Sequence, residues 1–151
     1  MEHDLLIAKE DIVCGLHATD KASAIAQLVG HVNKTMPLDT VALTKLLLAR
    51  EQKKSSGCGK QIAIAHVING VVPNMKVALA TLAQPVKWDA ADGKPVSLVA
   101  LIIAPPRELK EYFPLVIKVC KMLAEDNIRI SILNMQTPAQ IMAVLNAVKG
   151  R

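Results

Sequence analysis

The chain predicts one α/β domain of helices around a central sheet, and three observations carry that reading. Its 151 residues are 52% hydrophobic, which fills one buried core of ordinary size and excludes a disordered chain. Apolar residues recur at helical spacing in several capped stretches. Among them stand nearly continuous apolar runs of strand length, with no division into an all-helical and an all-strand half. The domain is expected to span residues 1–151, without internal repeat, low-complexity segment or long linker.

The elements follow in order. Residues 1–18 form a short N-terminal lead with a strand expected at Ile12–Cys14. Thr19 or Asp20 can cap a first helix in which Ile25, Leu28, Val29 and Val32 share a face; it runs to about Lys34 and Pro37 breaks it. Asp39 caps a second helix, with Val41, Leu43, Leu46, Leu47 and Leu48 apolar and Lys53 and Lys54 in the last turn, where cations complement the dipole. Ser55-Ser56-Gly57-Cys58-Gly59 ends it as a small-residue loop. Strands are expected at Gln61–Val67, Met75–Leu82 and Val96–Ala104, the last announced by the turn signal Asp92-Gly93-Lys94-Pro95. A third helix is expected over Glu111–Glu125, with Leu115, Val116, Val119, Met122 and Leu123 inward and Pro114 fixing its start in the first turn. A helical segment near Ile128–Met135 and a last helix from Thr137 (cap) and Pro138 (first position) to Lys149 complete the chain.

Composition excludes several function classes. Aromatics are 2% of the chain (Trp88, Tyr112, Phe113), so the core is aliphatic and modules that stack bases on aromatic rings do not fit. The net charge of +5 is scattered rather than gathered in a stripe, and no nucleic-acid-binding motif is present. Its densest cluster, Arg50, Lys53, Lys54 and Lys60 around Glu51, reads either as a solvated helix end or as an anion or partner site. Cys14, Cys58 and Cys120 have neither zinc-ligand spacing nor a disulfide framework, a usage that suits a reducing cytosol. The start of the chain is acidic where a signal peptide is basic, and its longest apolar stretch, Val96 to Pro106, is too short to cross a bilayer as a helix. A cytoplasmic protein without membrane insertion is therefore expected.

Of the histidines, His3 falls in the terminal lead, His17 precedes a helix and His31 sits near a helix end. His66 differs: it closes a strand on the face of Ile62 and Ile64, after a glycine-containing loop and a cationic helix end. A half-buried strand-end histidine and a functional one both fit that position.

The run Leu48-Ala49-Arg50-Glu51-Gln52-Lys53-Lys54-Ser55-Ser56-Gly57-Cys58-Gly59-Lys60-Gln61-Ile62-Ala63-Ile64-Ala65-His66 resembles the enzyme IIA domain of the phosphotransferase system, in its mannitol/fructose type, which includes the nitrogen-regulatory member. That family carries an Arg-Glu pair, a Ser-Thr-Gly-x-Gly loop and Ala-Ile-Pro-His. Pro85-Val86-Lys87-Trp88-Asp89-Ala90-Ala91-Asp92-Gly93-Lys94-Pro95-Val96 resembles its Asp-x-x-Asp-Gly-x-Pro-Val segment, and Leu101–Pro105 fits its following strand end.

The resemblance implies a small mixed β-sheet sandwiched between helices, and a phosphoryl carrier with no metal and no cofactor. Such domains take a phosphoryl group from the phosphohistidine of HPr or a nitrogen-branch relative. Transport members pass it to an enzyme IIB domain, and regulatory members bind target proteins according to their phosphorylation state. Carried over by motif, His66 is the phosphohistidine acceptor, Arg50 the active-site arginine, and Ser56, Gly57 and Gly59 the phosphate-binding loop, with Ser56 in the family's threonine position. Neutral imidazole is a competent nucleophile near pH 7, since its pKa is about 6.5. The chain departs from the family at Gln61 (a glycine there), Ala65 (proline), Val67 (a small residue) and Tyr112, which takes the position of the second active-site histidine. The other function expected, supported by the altered histidine loop and the lack of a fused transport domain, is a divergent regulatory protein-binding domain with weak or no transfer.

Overall fold

A computed structural model describes residues 7–149, so the lead through Leu6, including His3, lies outside the described residues. A 3-10 turn at Lys9–Asp11 leads into β1 (Ile12–Leu16), followed by α1 (Lys21–Val32), α2 (Thr40–Lys53), β2 (Gly57–Gly59), β3 (Ile62–Ile68), β4 (Lys76–Val86) and β5 (Val96–Ala104). A second 3-10 turn, Pro106–Glu108, precedes α3 (Leu109–Ala124), α4 (Asp126–Leu133) and α5 (Pro138–Lys149).

The strands form one five-stranded mixed sheet in the order β1-β4-β5-β3-β2. β1 runs parallel to β4 and β3 parallel to β5, whereas β4–β5 and β2–β3 are antiparallel. Strand alternation sorts the core into two layers. Ala63, Ala65 and Val67 of β3 and Val99, Leu101 and Ile103 of β5 face α1 and α2, represented by Ile25, Leu28, Leu43 and Leu47. Ile62 and Ile64 of β3 and Leu98, Ala100 and Ile102 of β5 face α3, α4 and α5 through Tyr112, Leu115, Val119, Ile132 and Ile141. A sheet covered on both faces explains why β5 reads as an uninterrupted apolar run.

The helix caps follow from local chemistry. The Asp20 carboxylate accepts the Ser23 N–H at 2.7 Å, making Asp20 rather than Thr19 the first cap, and the Asp39 carboxylate accepts the Ala42 N–H at 3.0 Å. The Thr137 hydroxyl accepts the Gln140 N–H at 3.2 Å, with Pro138 in the first position of α5.

Three expectations are corrected. Pro114 does not fix the start of α3; the helix begins at Leu109 and runs through it. Pro114 is exposed, as is Lys110, whose carbonyl loses the N–H it would have accepted, so solvent can satisfy that carbonyl. The segment 57–59 is not only loop: β2 pairs with β3 as a short edge strand across the tight turn at Lys60 and Gln61, a pairing that small residues do not announce. β4 continues past Leu82 to Val86, crossing an irregularity in its pairing with β5 that accommodates Pro85.

Candidate functional site

The end of α2, the 55–58 loop, β3 and α3 enclose a cavity of about 470 Å³ whose walls include Arg50, Ser56, Gly57, Cys58, His66 and Cys120. The alternation that puts Ile62 and Ile64 in the α3 layer puts His66 on the same face, one strand turn from the sheet's end. There it meets Tyr112 in the first turn of α3: the phenol oxygen lies 2.5 Å from His66 Nδ1. Tyr112 is buried, packed in the apolar layer and edge-on to Phe113, and meets the histidine through its hydroxyl and a tilted ring contact at 5.8 Å. Packing and polar contact are thus two ends of one side chain.

Electrostatics keep both partners neutral. Burial, and then the positive charge of Arg50, push the His66 pKa below its ordinary value, with Glu51 opposing. Burial pushes the Tyr112 phenol up to about 12, and Arg50 offsets a part of that. A neutral imidazole carries one proton and one lone pair. With Tyr112 fixed at Nδ1, Nε2 is the ring nitrogen without a hydrogen-bond partner among the described residues. Arg50 is exposed in the last turn of α2, where the sequence put it.

The loop is shaped by Glu51, Lys21, Ser55 and Trp88. The Glu51 carboxylate, almost fully buried, pairs with Lys21 Nζ at 3.3 Å and accepts the Ser56 N–H at 3.1 Å. Lys21 also donates to the Trp88 carbonyl, and so does the Ser55 hydroxyl, at 2.6 Å. Trp88, fully buried, donates its indole N–H to Ser56 Oγ at 2.9 Å. Trp88 and its neighbours therefore form the floor on which the loop rests. The signal for this was present in the matched segment around Trp88, but only the fold shows that the two segments touch.

The loop residues consequently divide in their roles. The Ser56 hydroxyl oxygen accepts from Trp88, which leaves its proton free to donate. The Gly57 N–H is already committed to Ser55 Oγ at 3.1 Å. Gly57 is small for another reason: a Cβ there would stand 2.8 Å from Ala90 Cβ. Gly59 is not among the cavity residues. It has φ +87°, and a Cβ would stand 3.1 Å from an oxygen of Asp92, the carboxylate that also accepts the Lys60 N–H at 2.9 Å. That positive φ favours glycine. Ala65 points to the opposite layer from His66. Within the cationic cluster, Arg50, Lys53 and Lys54 line the cavity, whereas Lys60 turns away to the Ala124 carbonyl at the end of α3.

Residues 5–148 match the family model described as phosphoenolpyruvate-dependent sugar phosphotransferase system, EIIA 2. The chain is 26% identical over 142 residues to the PTS system fructose-specific EIIABC component of Bacillus subtilis, covering 93% of this chain but 22% of that protein. It thus spans under a quarter of that relative. It is 30% identical over 110 residues to a nitrogen regulatory protein of Pseudomonas aeruginosa, covering 72% of this chain and 71% of the relative. Its fold superposes on the crystal structure of nitrogen regulatory protein IIA-Ntr from Neisseria meningitidis with a TM-score of 0.85 at 25% identity, covering 93% of this chain and 96% of the other.

Proposed function

The chain belongs to the phosphoenolpyruvate-dependent sugar phosphotransferase system EIIA 2 family, and from that premise we propose that it carries a phosphoryl group on Nε2 of His66. The family is a phosphotransferase component; the donor proposed here is the phosphohistidine of an HPr-type carrier. The observation that supports the reading is the pairing of His66 Nδ1 with Tyr112, beside Arg50 in one cavity.

In the step proposed, Nε2 of neutral His66 forms a bond to phosphorus as the donor's nitrogen–phosphorus bond breaks. That requires the Nδ1–H tautomer, with the Tyr112 oxygen accepting. The same hydrogen bond holds the ring while the product carries phosphate at Nε2 and the proton at Nδ1. In-line placement and charge neutralisation account for most of such a transfer. Arg50 supplies the neutralising fork, joined by the Ser56 hydroxyl proton. Onward transfer to an enzyme IIB domain, or recognition of the two phosphorylation states by a regulatory target, completes the proposal. The nitrogen regulatory relatives favour the second outlet.

The test is intact mass after incubation with phosphoenolpyruvate, enzyme I and HPr. One acid-labile, base-stable phosphate is expected, lost in His66→Ala while circular dichroism shows the fold retained. Persistent labelling of that variant overturns the assignment. A parent that takes no phosphate leaves the regulatory protein-binding reading.

A further inference from the structure

Arg50 and Glu51 are neighbours near the end of α2, and both line the cavity of His66. One positive and one negative charge therefore flank the place that a phosphate would enter, and alone they would cancel. The Glu51 carboxylate stands directly behind the loop, where its Oε1 accepts the Ser56 N–H at 3.1 Å. The same oxygen takes the ammonium of Lys21, the first residue of α1, at 3.3 Å. We propose that Lys21 is a positioning residue of the phosphoryl site: it neutralises Glu51, so that Glu51 holds the loop without repelling the phosphate. This role rests on the reading of His66 as the phosphate acceptor.

Burial makes the neutralisation matter. The Glu51 side chain is 6% exposed, so solvent and salt screen its charge weakly. The other contacts of Lys21 compete little for its charge. One is the neutral carbonyl of Trp88, at 3.1 Å. Another is an oxygen of Asp89 at 3.8 Å, but that side chain is 62% exposed and also has Lys87 at 3.9 Å. The carboxylate is retained for its hydrogen bond: an ionised acceptor holds a backbone N–H more strongly than a neutral one does. Without Lys21 the same carboxylate would be a buried charge lacking its paired cation, beside a negatively charged phosphoryl group.

His66 reports the balance. The groups around its cavity that carry or can carry charge, besides Glu51, are Arg50, Lys53 and Lys54 from α2, Cys58 from β2, and Tyr112 and Cys120 from α3. Arg50 lowers the pKa of the ring and Glu51 opposes it. Loss of the cation paired with Glu51 strengthens that opposition.

His66 is titrated by NMR in the full chain, with His66→Gln identifying its signal, in the parent, Lys21→Met, Lys21→Arg and the double variant Lys21→Met/Glu51→Gln. Single-turnover phosphorylation by phospho-HPr is followed in the same set. Lys21→Met should raise the His66 pKa by about 0.5 pH unit, because an unpaired carboxylate favours the imidazolium, and slow phosphorylation by about tenfold. Lys21→Arg should rescue both. In the double variant the amide keeps an oxygen for the Ser56 N–H and removes the charge. Its His66 pKa should return to the parent value or below, and its rate to within about threefold of the parent. A mere bridge between α1 and α2 is missing from Lys21→Met and the double variant alike. A double variant as slow as Lys21→Met, or a His66 pKa that Lys21→Met leaves in place, therefore overturns the proposal. Should Lys21→Met not fold, the double variant decides alone: a rate within about threefold of the parent upholds the charge role, and a loss of about tenfold overturns it. If the pKa pattern holds yet the parent takes no phosphate from HPr, the carrier reading fails and the control of charge at His66 by Lys21 stands.

Discussion

The Tyr112 hydroxyl lies 2.5 Å from Nδ1 of His66, so the tyrosine keeps a polar hold on the ring. Tyr112→Phe removes the hydroxyl that partners Nδ1 but keeps the aromatic ring. One neutral hydrogen bond is worth about 0.5–1.5 kcal/mol, so phosphorylation should slow by roughly two- to twelvefold. Tyr112→His should hold or raise the rate and make it vary over about pH 6 to 8, where the added imidazole titrates. Phosphorylation rates of parent and both variants at matched thermal stability check this. Equal rates for Phe and parent at every pH would remove the hydroxyl from the mechanism.

The depressed pKa of His66 gives a second outcome. Burial first, then Arg50, disfavour the imidazolium in the folded protein. Above the unfolded pKa of about 6.5 the ring is neutral in both states and costs nothing. As pH falls below that value the unfolded chain binds a proton that the native one refuses, so stability declines until the native pKa is reached. His66→Gln should flatten that acid-side decline in urea denaturation midpoints between about pH 6.5 and 5. The phosphorylation rate of the parent, corrected for the donor, should stay level down to about pH 6.5. A His66 titration by NMR at or above the ordinary value would contradict both.

Arg50 lowers the pKa of the same ring and, in the proposed transfer, holds the phosphate. A hydrogen bond to a charged group contributes about 1.5–3 kcal/mol, so Arg50→Ala should slow transfer by roughly ten- to a hundredfold. Arg50→Lys should recover a part, since an ammonium lacks the planar fork. Either change has a further signature: the Ala variant should raise the His66 pKa, because a positive neighbour is gone, and the Lys variant should not. An alanine variant as fast as the parent would take Arg50 out of the site.

Much of this arrangement was legible in the chain, and the exceptions share a cause. Asp20, Asp39 and Thr137 were readable as caps because capping is settled within three residues. The facing of His66 followed from the alternation with Ile62 and Ile64. Glu51, Ser55 and Trp88 were not read as a unit, because their bonds join the end of α2 to the segment after β4. For Gly59 the motif suggested an anion contact, and the fold adds a local account that spacing does not carry: a positive backbone angle beside the Asp92 carboxylate.

Ser56 and Trp88 give a stability test. The indole N–H of a fully buried tryptophan has Ser56 Oγ as its partner. Ser56→Ala leaves that donor buried and unpaired, at a cost of about 1–3 kcal/mol. Ser56→Thr keeps the oxygen and should cost far less. Urea denaturation reads both, with the single tryptophan of the chain as the fluorescent probe. A loss below a few tenths of a kcal/mol in the alanine variant would show that water replaces the hydroxyl.

The hairpin between β2 and β3 carries a local strain that one substitution should relieve. Lys60 and Gln61 both have positive φ, at 56° and 68°, the pattern of the two central residues of a hairpin turn that favours glycine or asparagine. The Gln61 side chain is exposed, so replacing it removes little packing. The gain is steric: a Cβ held at positive φ crowds the backbone, and glycine has none. It is offset by the larger conformational freedom glycine brings to the unfolded chain. Because the native angle lies outside what glutamine favours, the steric side should win, by about 0.5–1 kcal/mol, equivalent to roughly 1–4 °C in melting temperature for a chain of this size. Lys60→Gly is a less clean test, since it also deletes the Nζ contact with the Ala124 carbonyl. Calorimetry of Gln61→Gly beside Gln61→Ala separates the two effects. The alanine variant keeps the Cβ and should match the parent, while the glycine variant melts higher. A glycine variant that melts lower than both would mean that unfolded-state entropy outweighs the strain at this turn.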